Sequence, residues 1–141
     1  MLPTSKNSGS AEAEIAELVA RWIKATESKD LDALLSMMED DVTFLPASGP
    51  VIRGKSEARS IYQRLFAQAS RVESRPVVEE IVVAGEWAFL TGADELFLTM
   101  SESGLRVHMK GRAISIMRRH SDGCWRFARG INNMVRQESP D

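Results

Sequence analysis

A chain of 141 residues with 43% hydrophobic and 27% charged side chains has room for one domain with a real core and little beyond it. Its single cysteine, Cys124, excludes an internal disulfide, and no apolar run approaches the length of a bilayer span. The net charge of −2 hides an asymmetry: residues 1–50 carry nine acids and four bases, whereas residues 104–136 carry eight bases and one acid.

Residues 1–10 read as a flexible N-terminus, residues 11–136 as one domain and residues 137–141 as a frayed tail. The first ten residues hold no apolar signal core, so a reducing, cytoplasmic setting with no membrane partner is expected. Ser10 is placed to cap a first helix, with Glu12 and Glu14 in the first turn, where the helix dipole favours acids. Ile15, Leu18, Val19, Trp22 and Ile23 then share one helical face. Asp30 is placed to cap a second helix with Leu31, Leu34, Leu35 and Met38 on its apolar side, stopped by Glu39-Asp40-Asp41. Val42–Leu45 reads as a strand, broken by Pro46 and by Gly49-Pro50. A third helix carries Ala58, Ile61, Tyr62, Leu65, Phe66 and Ala69 as its stripe. After Ser70 the character changes to strand. Val77–Ala84, Trp87–Met100, Leu105–Arg119 and Trp125–Val135 alternate as strands, with turns at Gly85-Glu86, Ser101–Gly104 and His120–Gly123 and a bulge expected at Gly92.

The turns set a cross-strand register. The loop at Ser101–Gly104 places Glu95 opposite Lys110, Asp94 opposite Gly111 and Phe97 opposite His108. A four-residue loop at His120–Gly123 places Ser115 opposite Ala128 and Ala113 opposite Gly130. Alternation then sorts the sheet into two faces. One carries small residues with Asp94, Leu96, Met109, Ser115, Met117 and Asn132, and small residues facing helices leave space for a ligand. The other is bulky and apolar, with Trp87, Phe89, Ile114, Ile116, Trp125, Phe127 and Ile131 among charges that include Arg129. Such a face is expected to meet a second subunit, with Trp87, Ile114, Ile116, Phe127 and Arg129 as interface residues.

The order of elements and several local phrases resemble the SnoaL-like, ketosteroid-isomerase-like proteins of the nuclear transport factor two superfamily. The phrases are Trp22-Ile-Lys-Ala25, Lys29-Asp-Leu-Asp-Ala-Leu-Leu35, Glu39-Asp-Asp-Val-Thr-Phe-Leu-Pro46, Ile52-Arg-Gly-Lys55 and Asp122-Gly-Cys-Trp-Arg-Phe-Ala-Arg129. The resemblance covers roughly residues 11–135. It implies an α+β fold of the cystatin-like, nuclear transport factor two-like kind: a cone-shaped barrel with three N-terminal helices packed on a strongly bent, mixed but mostly antiparallel sheet. It also implies departures from the isomerase site. Trp22 stands where that family keeps a tyrosine donor, Pro46 where it keeps a general-base aspartate, and Ser115 where it keeps a protonated aspartate. Fold alone does not name a reaction, because the superfamily hosts several enzymes and non-enzymatic binders.

Asp94 is the candidate catalytic group: a carboxylate facing a cavity is a possible acid or base, and the alternative is a hydrogen-bonded or rim carboxylate near Gly92. Trp22, Phe44, Tyr62, Phe66, Leu96, Met109, Ser115, Met117 and Asn132 are the candidate pocket residues for a small apolar or amphipathic organic molecule. Each has a plain packing alternative. The basic C-terminal hairpin reads as a solvated sheet face balancing the acidic helices, not as a nucleic-acid surface. Cys124 reads as a partly buried thiol, and His120 as a solvent-facing turn residue. Two separated histidines make no metal motif, Gly54-Lys55-Ser56 lacks the upstream glycine of a phosphate-binding loop, and no cofactor is expected. Two readings stay open. One is a cofactor-independent isomerase, dehydratase or cyclase, and the other is a non-enzymatic ligand-binding, interaction or dimerisation module.

Overall fold

The computed structural model describes residues 6–138, with side chains described from Ser10 onward. Residues 1–5 of the expected flexible lead and 139–141 of the expected tail lie outside the described residues. The elements run α1 (Lys6–Glu27), α2 (Leu31–Ser36), β1 (Met38–Leu45), β2 (Ile52–Arg53), α3 (Gly54–Gln68), β3 (Ala69–Ser74), β4 (Val77–Ala84), β5 (Trp87–Met100), β6 (Arg106–Arg119), β7 (Trp125–Asn132) and β8 (Val135–Arg136). Among the described residues there are three helices, and α3 follows β1 and β2, so it is not part of an N-terminal helical run. No helix among the described residues is long and apolar enough to cross a membrane.

Helix α1 begins at Lys6, so Ser10 lies inside it and does not cap it. Its buried face is the expected one: Ile15 and Leu18 are buried, and Val19 and Trp22 pack against the same core. Lys29 ends the α1–α2 corner in a left-handed conformation, φ 56°, and its ammonium donates to the carbonyl oxygens of Phe66 and Ala69, at 3.4 and 2.9 Å. The cation therefore satisfies carbonyls left open at the C-terminus of α3, where positive charge is favourable. Asp30 caps α2, accepting from the Ala33 N–H at 3.1 Å. Met38 is not on α2 but opens β1, so the acidic run Glu39–Asp41 belongs to a strand.

Among the described residues the sheet has eight strands, in the order β2-β1-β7-β6-β5-β3, with β4 also on β5 and β8 also on β6. Among the described residues only β1 and β7 pair in parallel. Strands β5 and β6 are long and change neighbours midway. The first half of β5 pairs with β4 and its second half with β3, with Arg75-Pro76 between those two partners. This change of partner along one edge curls the sheet into a half-barrel around the helices. The register shift in β4 between Val78 and Glu80 faces Gly92, where a Cβ would collide with the Val77 carbonyl. Glycine is required there by close backbone approach.

The register of β5 on β6 is the expected one, with Asp94 opposite Gly111 and Glu95 opposite Lys110. That of β6 on β7 differs. Arg119 pairs with Trp125 and Met117 with Phe127, and the register then shifts, so that Ile116 meets Arg129 and Ser115 meets Gly130. The extra residue is Ala128. Beyond it, Gly130 and Asn132 lie on the face expected of them; before it, the faces are exchanged. Trp125 and Phe127 therefore point to the helices and are 5% and 6% exposed. Phe127 is thus corrected from the outer face to the core.

The main core joins Ile15, Leu34, Met38 and Val42 from the helices and β1 to Leu90, Met117 and Phe127 from the sheet. A smaller cluster of Ala69, Val72 and Leu98 sits past the bend, with Phe66 and Leu96 against it.

Candidate functional site

The curl leaves a cavity of ≈ 170 Å³ between the helices and the concave face of the sheet. Val19 and Trp22 from α1, Tyr62 from α3, Phe44 from β1 and Phe127 from β7 supply its aromatic and apolar walls. Trp22 is the hub: its ring lies edge-on to Phe127, Tyr62 and Phe44, with centroids 4.8, 6.0 and 6.4 Å away. Such edge-to-face packing holds aromatic walls in fixed positions. The sheet floor consists of small residues, among them Gly92, Ala113 and Gly130. Gly130 is needed because the Phe44 ring lies on it; a Cβ there would fall 2.9 Å from Phe44 Cδ1. Val77 and Ile131, 60% and 49% exposed, mark the mouth.

Asp94, Ser115, Asn132 and Ser74 bring polar side chains to the lining, and the Tyr62 and Trp22 rings carry one polar group each. Asp94 is half-buried on β5, and its Oδ1 accepts the Glu95 N–H at 2.9 Å. Burial holds its carboxyl above the usual range, and the hydrogen bond from Glu95 offsets part of that. The Tyr62 phenol is pushed up to about 12, first by burial and then by the charge of Asp94. At neutral pH it stays protonated beside that carboxylate. Asn132 Oδ1 accepts the Met134 N–H at 2.9 Å.

Of the residues singled out in the sequence, Trp22, Phe44, Tyr62, Asp94, Ser115 and Asn132 come together on this cavity. Four others do not. Met117 is fully enclosed in the main core, and Phe66 links the two clusters. Leu96 packs on the smaller cluster, and Met109 pairs with Leu96 on one side and with Arg136 of β8 on the other. Their alternation is right, but the face they occupy lies beyond the bend at Asp94. Val19, Leu90 and the pair Val77 and Val78 line the cavity without being candidate pocket residues in the sequence, as does Phe127, expected instead at the interface. Val19 sits in the helical stripe and was open to inclusion; Phe127 is turned inward by the bulge at Ala128, which no turn or glycine announces.

Trp87, Ile114 and Ile116 lie on the convex face, 46%, 46% and 36% exposed. Arg129 is exposed there too, donating to the carbonyls of Asp41 and Ala128. Much of the basic hairpin is paired, but with sheet and turn acids and not with the helices: Arg106 with Glu73, Arg112 with Glu79, Arg118 with Glu39 and Arg126 with Asp122. His120 is not a free turn residue; its Nε2 lies 2.9 Å from the buried Glu39 Oε1. Cys124 is exposed, not partly buried. Among the described residues no three His, Cys, Asp or Glu side chains stand together as a metal site.

Similar folds are found among solved structures. A conserved protein from Planctomyces limnophilus is 29% identical, with a TM-score of 0.86 and coverage of 92% of this chain and 99% of that one. A ketosteroid isomerase-like protein from Erwinia carotovora is 23% identical, with a TM-score of 0.76 and coverage of 91% and 96%. A nuclear transport factor 2-like superfamily protein from Salmonella enterica is 16% identical, with a TM-score of 0.78 and coverage of 94% and 95%. No curated protein matches the sequence. The family model for the SnoaL-like domain matches residues 15–130, which spans both helical walls, the curled sheet and nearly all of the cavity lining, so the chain belongs to the SnoaL-like domain family.

Proposed function

We propose that this protein is a cofactor-independent acid–base enzyme for a small organic molecule, of the isomerase, dehydratase or cyclase kind, with Asp94 as the group that moves the proton. One observation carries the reading: Asp94 is a carboxylate of raised proton affinity on the wall of an aromatic-lined cavity, beside a phenol that stays protonated. A base working near neutral pH needs a proton affinity above that of a solvated carboxylate. A neutral donor next to it can hold the oxygen on which charge develops as a C–H proton leaves. The resemblance set Trp22 where related isomerases keep a tyrosine; Tyr62 brings a phenol into the same cavity from α3. Ser115, Asn132 and the Trp22 ring orient the substrate in this scheme. The protein works as a homodimer through its convex sheet face, in the reducing cytoplasm.

The shared first step of these reactions is removal of a proton from carbon, and it can be tested before the natural substrate is known. The α-hydrogens of 1-indanone, a compact ketone with an apolar ring, exchange in deuterium oxide, and proton NMR follows the loss of signal. The protein should speed this exchange over buffer. Asp94→Asn should lower the accelerated rate by about 10²–10⁴-fold, the range a positioned general base supplies. Binding of the ketone with no acceleration would leave a ligand-binding module without this chemistry and would overturn the enzymatic reading.

A further inference from the structure

We infer that the cavity selects ligands bearing an acceptor oxygen, held by the side-chain amide of Asn132, and rejects anions. The inference rests on the cavity being a ligand site, as proposed above, and goes on to the class of ligand. Charge is the first ground. Among the described residues no Lys, Arg or His lines the cavity, and Asp94 is its one carboxylate. A carboxylate or phosphate entering there would lose water, find no counter-charge and meet Asp94 at close range.

Direction is the second ground. The chain leaving β7 is pinned to β6 by two bonds: Asn133 N–H donates to the Arg112 carbonyl at 3.0 Å, and Asn133 Oδ1 accepts the Arg112 N–H at 2.6 Å. Just before this clamp, Asn132 Oδ1 is taken by the Met134 N–H. The oxygen of the Asn132 amide is therefore committed to the backbone, and its Nδ2 has no partner among the described residues. A fixed amide with its oxygen occupied presents only N–H groups to a ligand. The Tyr62 hydroxyl likewise has no hydrogen bond among the described residues, which makes it a second donor aimed at the same kind of atom. A turn alone would be served as well by aspartate, which offers Met134 the same acceptor; the amide adds the donor.

Four probes of one shape separate the alternatives: indane, 1-indanone, indane-1-carboxylate and 1-aminoindane, each titrated calorimetrically into the wild-type protein and into Asn132→Asp at neutral pH. The ketone should bind about tenfold more tightly than indane, equal to about 1.4 kcal/mol, and the carboxylate at least about tenfold more weakly than the ketone. Asn132→Asp keeps the acceptor for Met134, so its melting temperature should match wild type while the preference of ketone over indane falls, with the Tyr62 hydroxyl left as the remaining donor. If the carboxylate or the amine binds tightest to wild type, the inference is overturned and the ligand site stands. An undiminished ketone preference in a folded Asn132→Asp protein overturns it equally. If none of the four binds, the ligand-site reading itself falls and takes this inference with it. The wild-type ranking decides the matter even if the variant does not fold.

Discussion

Asp94 is a carboxylate whose surroundings oppose its charge, and that has a thermodynamic consequence independent of any substrate. A carboxyl held above its unfolded proton affinity adds stability that is full below the unfolded carboxylate range and is lost as pH rises through its higher folded value. At neutral pH the ionised Asp94 therefore weakens the fold. Asp94→Asn keeps the oxygen that accepts the Glu95 N–H and cannot ionise. It should raise the melting temperature at pH 7, with the gain shrinking to nothing as pH falls below the normal carboxylate range. A variant no more stable than wild type at neutral pH would show that Asp94 is well solvated and unsuited to the role of base. Asp94 was legible in the sequence because its neighbours on one strand face are small. Its partner Tyr62 was legible only as a helix residue; that the two line one cavity is a property of the tertiary fold.

Among the elements, the start of β1 and the end of β6 are tied by a buried acid. Glu39 is 3% exposed and meets both Arg118 and His120, while the Arg118 side chain is 40% exposed and also covers the Trp87 ring at 5.1 Å. The two members of the pair should not be equivalent. Arg118→Met strands a buried carboxylate with His120 alone and should cost about 3 kcal/mol. Glu39→Gln leaves an arginine that can turn to water and should cost about 1 kcal/mol. Urea denaturation of both variants checks this, and equal losses would mean that burial of Glu39 does not set the energetics. The acidic run Glu39–Asp41 read as a helix stop, because three adjacent acids suit a solvated break. Only the pairing of β1 with β7 and the cations on β6 make a strand of it.

At the scale of the whole molecule, the sheet leaves an apolar surface facing outward. Phe89 pairs with Ile116, and Thr91, Ile114 and Ile131 form the next row. Phe89, Ile114, Ile116 and Ile131 are 36 to 49% exposed, and Trp87 stands beside them. Single exposed apolar side chains are ordinary, but adjoining rows are not. A second copy seated on these rows is the proposed state. Sedimentation at tens of micromolar should give a dimer, and Ile114→Arg a folded monomer with the cavity intact. A wild-type monomer at that concentration would sink the proposal.

The sequence by itself determined most of the elements, one register and the family. Periodicity of 3.6 exposed the buried face of α1, alternation exposed the strands, and the short turn at Ser101–Gly104 set β5 on β6 because a tight loop leaves no slack. Tertiary structure alone decided what depends on distant contacts. The bulge at Ala128 carried Phe127 from the outer face into the cavity, since one unpaired residue reverses a two-residue alternation. The bend beyond Asp94 moved Leu96 and Met109 away from the cavity, since a curled sheet does not keep one face on one side. What the cavity holds together, an aspartate, a phenol and an amide from three different elements, is set by that curl.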